Sequence, residues 1–160
     1  MGPEDVLWAA LVAGTLSGVP STLHAVLRWD SPLGATRAAG TLLGRPSAVR
    51  GLVAHGLISL GWAAVLARML PRRRPVLAGA VAGGLIAVVD LGVAGRRFPA
   101  IRALPVVPQV LDHLAFGALV GIVLDRRALR PSGARSGQGG AHTAPTVPAP
   151  EWAPTDGPIS

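Results

Sequence analysis

The chain has 160 residues, of which 50% are hydrophobic and only 14% charged, and its formal net charge is +7. A soluble domain carries about 25% charged residues, so this composition predicts an integral membrane protein. The absence of cysteine excludes disulfides, thiol catalysis and cysteine-ligated metal centres. All basic residues are arginines, and most lie between or just after apolar stretches, as is typical of span ends. With few aromatic residues beside them, these arginines do not indicate nucleic-acid binding.

Four apolar stretches predict helices that cross a membrane, because each approaches the 20 or so residues that a helix needs to span the hydrocarbon core. The predicted spans lie at about 6–27, 48–68, 75–95 and 104–125. Pro20 lies inside the first span and predicts a kink there, since proline removes one backbone hydrogen bond.

The longest connection contains a second, shorter helix. Ser31-Pro32 is a favourable helix start and Gly44 a favourable stop, which predicts a helix over residues 32–43. This segment is too short to cross a membrane. We expect it to lie along the membrane surface or to fold back against the bundle.

The fold class predicted is therefore an all-α, integral membrane four-helix bundle with a short interfacial helix. Residues 1–130 form the transmembrane domain, and residues 131–160, rich in Pro, Gly, Ser and Thr, form a disordered tail. The lack of Lys and Tyr is typical of a GC-rich bacterial genome, which places the protein in the inner (plasma) membrane. The basic turn at 72–74 favours cytoplasmic termini.

Every predicted span carries an ionisable side chain, and all of them fall toward one side of the membrane. A charged group inside lipid costs about 2.5–3.5 kcal/mol, so these residues are candidates for function. Small residues at helical spacing place His24, His55, Asp90 and His113 on faces that point into the bundle. Asp112 is offset from His113 by about 100° on the same helix, so the two cannot point at one spot. The candidate cluster comprises His24, His55, Asp90, Asp112 and His113, with Ser17, Ser21, Ser59 and Gln109 in support.

Several functions are compatible with this cluster. It can organise the bundle through interhelical hydrogen bonds, worth about 0.6 kcal/mol each, in a protein with a structural or interaction role. The partners would then be the lipid bilayer and a second copy or another membrane protein. Alternatively, the three histidines and Asp90 can bind a divalent metal or haem. A third possibility is a proton or ion relay through Asp90. An enzyme is less expected, because no nucleophile elbow, phosphate-binding loop or metalloprotease motif is present.

Overall fold

The computed structural model describes residues 2–129, and the regular secondary structure within them is helical throughout. The predicted tail at 131–160 lies outside the described residues. The elements are α1 (Pro3–Leu16), α2 (Val19–Leu27), α3 (Gly34–Ala39), a 3-10 turn (Gly40–Leu43), α4 (Ala48–Met69), α5 (Pro75–Arg97), α6 (Pro99–Arg102) and α7 (Val106–Ala128).

Four helical segments are long and apolar enough to cross a membrane, as the sequence predicts. They are α1 together with α2, then α4, α5 and α7; each has 22 to 25 residues, and their mean hydropathy is 1.5 to 2.2. Their outward faces carry large apolar side chains, among them Leu57, Leu85 and Val88. Such continuous apolar exposure is the surface expected of a protein solvated by lipid.

The first span is broken in its middle, which confirms the predicted kink. Helix α1 ends at Leu16 and α2 begins at Val19, with Pro20 in the first turn of α2. Proline is favourable there because the first-turn N–H groups of a helix have no intrahelical partner. The break leaves backbone polar groups of both half-helices to be satisfied by other parts of the protein.

The short helix folds back against the start of α4. Helix α3 begins at Gly34, two residues later than predicted, and the 3-10 turn after it ends at Gly44, whose φ of 110° favours glycine. The Arg50 guanidinium donates a hydrogen bond to the Leu43 carbonyl at 2.9 Å. The backbone of α4 at Gly51 touches the Thr36 carbonyl, a contact that leaves no room for a side chain. The short helix therefore folds back against the bundle, which is one of the two placements that the sequence predicts.

The four spans pack in the order α4, α1, α7, α5. Helices α5 and α7 make the closest approach because glycines on each helix face the backbone of the other. The pairs are Gly79 with Gly117, Gly83 with the His113 carbonyl, and Gly121 with the Pro75 carbonyl. A Cβ atom at any of these glycines would meet the backbone of the other helix. The small-residue stripes of the sequence therefore mark this helix interface, as membrane packing requires.

One half of the assembly has an apolar core that lies between α1, α4 and α7, with one residue from α5. Its members are Ala9, Ala10, Ala13, Ala63, Leu66, Ile86, Phe116, Val120 and Leu124. At the same end, the Arg127 Nε donates to the Asp5 carboxylate at 2.6 Å, which joins the start of α1 to the end of α7. Asp5 also accepts from the Gly2 backbone N–H at 2.8 Å. We call this half the closed end.

Candidate functional site

The other half of the assembly contains a cavity of about 980 Å³ between α1, α2, α4 and α7, with α3 and α5 at its edge. Cavities of about 300–1,000 Å³ are typical of small-molecule sites. We call this half the open end. The polar lining residues are Thr15, Ser17, Ser21, Thr22, Thr36, His55, Ser59, Asp90, Gln109, Asp112 and His113.

The cavity reaches the apolar surface of the helices that lipid would cover. Leu11, Leu23 and Leu52 line it, and more than half of the surface of each is exposed. Most of the remaining wall is also apolar, including Trp62, Ile86 and Phe116. The cavity thus combines apolar walls with polar groups drawn from several helices.

Asp112 of α7 binds the broken backbone of the first span. Its Oδ1 accepts a hydrogen bond from the Ser21 N–H at 3.0 Å. In an unbroken helix this N–H would bond to the carbonyl four residues earlier, which belongs to Ser17. The Ser21 hydroxyl donates to the Gly18 carbonyl at 3.2 Å and satisfies another group at the break. The Asp112 carboxylate therefore acts as a cap for α2 supplied by another helix.

His55 of α4 satisfies the other half of the break. Its Nε2 lies 2.7 Å from the Gly14 carbonyl, which can only accept, so Nε2 carries a proton and donates it to that carbonyl. The contact works because Gly14 lets α4 approach, with the Ser59 hydroxyl 3.0 Å from where a Cβ would stand. His55 and Asp112, from different spans, thus hold the break from both sides.

Asp90 and His113 form a second polar pair. Nδ1 of His113 donates to the Gln109 carbonyl at 2.7 Å, and its Nε2 lies 3.1 Å from the Asp90 carboxylate. Since Nδ1 already carries a proton, one further proton lies between Nε2 and the carboxylate. The pair is either an imidazolium with a carboxylate or a neutral imidazole with a carboxylic acid. Both side chains are partly exposed, at 20% for His113 and 32% for Asp90.

The glycine contacts explain why this pair meets. The antiparallel register of α5 and α7, continued by one turn, brings Gln109 level with Ala87. Side chains on a helix lean toward its N-terminus, so His113 leans toward the level of Gln109 and Asp90 toward that of Ala87. Two residues on antiparallel helices therefore converge from opposite directions. Without the close approach at Gly83, the 3.1 Å contact would be out of reach.

The structure brings four of the five candidate residues to the cavity and leaves out His24. The face of α2 that lines the cavity carries Val19, Thr22 and Leu23. Within residues 2–129, His24 is partly buried and makes no hydrogen bond or ion pair through its side chain. The predicted stripe ran through Ser21 to His24 as if the first span were one continuous helix. The supporting residues Ser17 and Ser59 are 3% and 5% exposed, and Gln109 lines the cavity beside His113.

Sequence reasoning missed the Asp5–Arg127 ion pair and the cavity itself. The ion pair could have been inferred, because the first span starts and the fourth ends on the same side of the membrane. The start carries acidic residues and the end carries basic ones. Nothing in the sequence indicated the cavity, because a cavity depends on how far apart the helices lie. Sequence periodicity gives the facing side of each helix, and it does not give that distance.

A metal site draws little support from this geometry. Among the residues that the structure describes, no three His, Cys, Asp or Glu side chains come together as metal ligands would. Both ring nitrogens of His113 and the Nε2 of His55 are held in hydrogen bonds. A metal would have to displace these bonds before binding the imidazoles.

Comparisons with known proteins add no function. No protein-family model matches the chain, and no curated protein or solved structure is similar enough to it to count as a match.

Proposed function

We propose that this is a multi-pass membrane protein that binds a lipid-soluble amphiphile in the cavity of the open end. The observation that carries the proposal is the cavity's mixed lining, in which exposed and buried apolar side chains stand beside polar side chains from several helices. Such a site suits a ligand with an apolar chain and one polar group.

The membrane setting is supported by the surface of the four spans. Each contains an 18-residue window with a mean hydropathy of at least 1.5 and at most two charged residues. Large apolar side chains with more than half of their area exposed occur on every span. With four antiparallel spans, the basic turn Arg72–Arg74 lies on the same side as both ends of the described chain, which supports a cytoplasmic placement of that side.

The exposed leucines of the cavity wall define a route by which a ligand arrives from the bilayer. A molecule dissolved in the bilayer reaches the cavity past Leu11, Leu23 and Leu52 without leaving apolar surroundings. Its polar group leaves the membrane interface and forms hydrogen bonds with polar side chains of the cavity. These bonds offset the cost of burying that group. The cluster of polar side chains then has two roles. It satisfies backbone groups at the break in the first span, and it supplies the polar groups of the binding site.

Trp62 allows a direct test, because it lines the cavity. A protein carrying Trp8→Phe, Trp29→Phe and Trp152→Phe retains Trp62 alone and reports on that position. We expect a brominated long-chain alcohol, a contact quencher, to quench Trp62 in detergent along a saturable curve. A matched protein that retains only Trp29, which is 96% exposed, should show quenching that rises linearly without saturation.

Filling the cavity provides the control. Gly56 lines the cavity and Gly61 on the same helix does not, and a Cβ at either position meets nothing within 4 Å. Gly56→Phe should weaken the saturable phase by about tenfold, a change of about 1.4 kcal/mol in binding free energy, whereas Gly61→Phe should leave it unchanged. Equal curves for Trp62 and Trp29, insensitive to both substitutions, would refute the proposal.

Proton binding at Asp90 and His113 is a second candidate function, favoured by the shared proton between Nε2 and the carboxylate. Both residues line the cavity, through which water can exchange protons with them. Reconstituted protein in liposomes loaded with a pH-sensitive dye should then collapse an imposed pH gradient faster than empty liposomes do. Asp90→Asn should remove the difference and Asp125→Asn should retain it. A wild-type rate equal to that of empty liposomes would eliminate this candidate.

A further inference from the structure

We propose that the polar group of the bound amphiphile is a protonated amine and that the Asp112 carboxylate binds it. This inference rests on the proposed function and specifies its ligand. It depends on the charges and hydrogen-bonding capacities of the residues that line the cavity.

Within the part of the chain that the structure describes, no arginine lines the cavity, although the whole sequence has 15 of them. The ionisable lining residues there are two aspartates and two histidines. Phosphate and carboxylate groups are bound in proteins mainly by Arg, Lys or clustered backbone N–H groups. Among these lining residues, an anionic amphiphile would therefore find no fixed positive charge apart from a histidine already paired with Asp90.

The hydrogen bonds among the described lining residues leave one unbalanced charge. Asp90 and His113 share one proton, so their net charge is zero in either arrangement. His55 donates through Nε2 to the Gly14 carbonyl, a bond that a neutral ring makes without a counter-ion. Asp112 remains, and its bonding partner in the structure is the uncharged Ser21. With His55 neutral and Asp112 ionised, this lining therefore carries one negative charge.

Asp112 also has bonding capacity to spare. An ionised carboxylate offers about four acceptor positions, and the Ser21 N–H occupies one of them. In the neutral ring, the Nδ1 of His55, which also lines the cavity, is a further acceptor. An ammonium group brings three donors and one positive charge. The ammonium group therefore matches both the negative charge of Asp112 and the acceptor positions around it.

An alcohol or a carboxylic acid complements the site less well. A hydroxyl supplies one donor and leaves the charge of Asp112 without a counter-ion in largely apolar surroundings, which is costly. An ionised carboxylate supplies no donor and adds a second negative charge. The expected order of affinity is therefore amine, then alcohol, then carboxylate, at equal chain length.

The test uses the full chain with Trp62 as its only tryptophan and three brominated probes of the same chain length: a primary amine, an alcohol and a carboxylate. We expect the amine to bind about tenfold more tightly than the alcohol, and Asp112→Asn to bring the amine down to the alcohol's affinity. The amide side chain in this variant retains an oxygen for the Ser21 N–H, so the break in the first span is preserved. Asp125→Asn, an exposed site on the same helix, removes the same charge elsewhere and should change neither affinity.

The possible outcomes separate this inference from the proposed function. If the alcohol binds as tightly as the amine and Asp112→Asn changes neither, the amine assignment is wrong and the amphiphile site stands. Preference for the carboxylate overturns the assignment in the same way. If no probe shows saturable quenching that Gly56→Phe weakens, the proposed function fails as well.

Discussion

The two ends of this protein share α1, α4 and α7 and differ in whether the first span continues unbroken. At the closed end, α1 is unbroken, and Ala9, Ala13 and Ala63 allow the helices to meet with no exposed surface at these residues. At the open end, the first span breaks before Pro20, and the helices separate around a cavity of about 980 Å³. A single interruption of one helix thus separates a packed core from a candidate binding site.

The polar side chains of the two ends also have different partners. At the closed end, Asp5 and Arg127 neutralise each other across 2.6 Å. At the open end, two polar side chains, His55 and Asp112, bind backbone atoms of the broken span. At the closed end, an ion pair therefore joins two helix termini. At the open end, polar side chains bind backbone groups that have no partner within their own helix.

The largest expected effect comes from the glycine contact between α5 and α7. In Gly117→Ala, the new Cβ would meet the Gly79 carbonyl and the Gly83 N atom, both backbone. Overpacking of this kind costs about 1–3 kcal/mol, and the value here should be near the upper limit, because backbone cannot rotate away. The measurement is the unfolding temperature in detergent, followed by circular dichroism.

Gly92→Ala is the matched control, since a Cβ there meets nothing within 4 Å. Alanine favours helix over glycine by about 0.8–1.0 kcal/mol, so this variant should unfold at the same or a higher temperature. An equal loss of stability in both variants would mean that the α5–α7 contact is not as close as described.

A smaller effect is expected at the closed end. Arg127→Gln removes a hydrogen bond between charged groups, which contributes about 1.5–3 kcal/mol in proteins, and Gln can replace part of it by binding Asp5. We expect a loss of about 1–2 kcal/mol with binding at Trp62 unchanged. Arg126→Gln, an exposed neighbour, should change neither. A loss of amphiphile binding in Arg127→Gln would contradict the independence of the two ends.

The smallest effect is expected at the break. His55→Ala removes the bond to the Gly14 carbonyl, and an interhelical hydrogen bond of this kind is worth about 0.6 kcal/mol. Hydrogen exchange measured by mass spectrometry should show faster exchange in peptides covering residues 14–22 and no change in those covering α5. His24→Ala should alter neither stability nor exchange. The reverse order, with His24 the more sensitive position, would show that the cluster is assembled differently.

The sequence was informative about features that depend on neighbouring residues. Length and hydropathy predicted the four spans, Pro20 predicted the break, and glycine spacing predicted the faces on which α5 and α7 meet. Asp90 and His113 lie on those faces, so their proximity followed from the same pattern. Whether these residues bind a ligand or a proton stays a prediction.

Other features depended on distances that periodicity does not contain. His24 lay on the predicted stripe only if the helix continued through Pro20, and the break removed that assumption. His55 was expected to face other side chains, and it bonds to backbone that became available only because α1 ends at Leu16. The cavity likewise reflects how far α4 and α7 separate beyond the break.

The bond between His113 and the Gln109 carbonyl limits any role that this imidazole has in moving protons. Histidine conducts by taking a proton on one ring nitrogen and releasing another from the opposite one. Here the opposite nitrogen points at a peptide oxygen of its own helix, which cannot accept a proton for onward transfer. A proton that reaches His113 from Asp90 must return to Asp90. Any proton transfer across the membrane therefore runs through Asp90 and water, while the imidazole only stores a proton beside it.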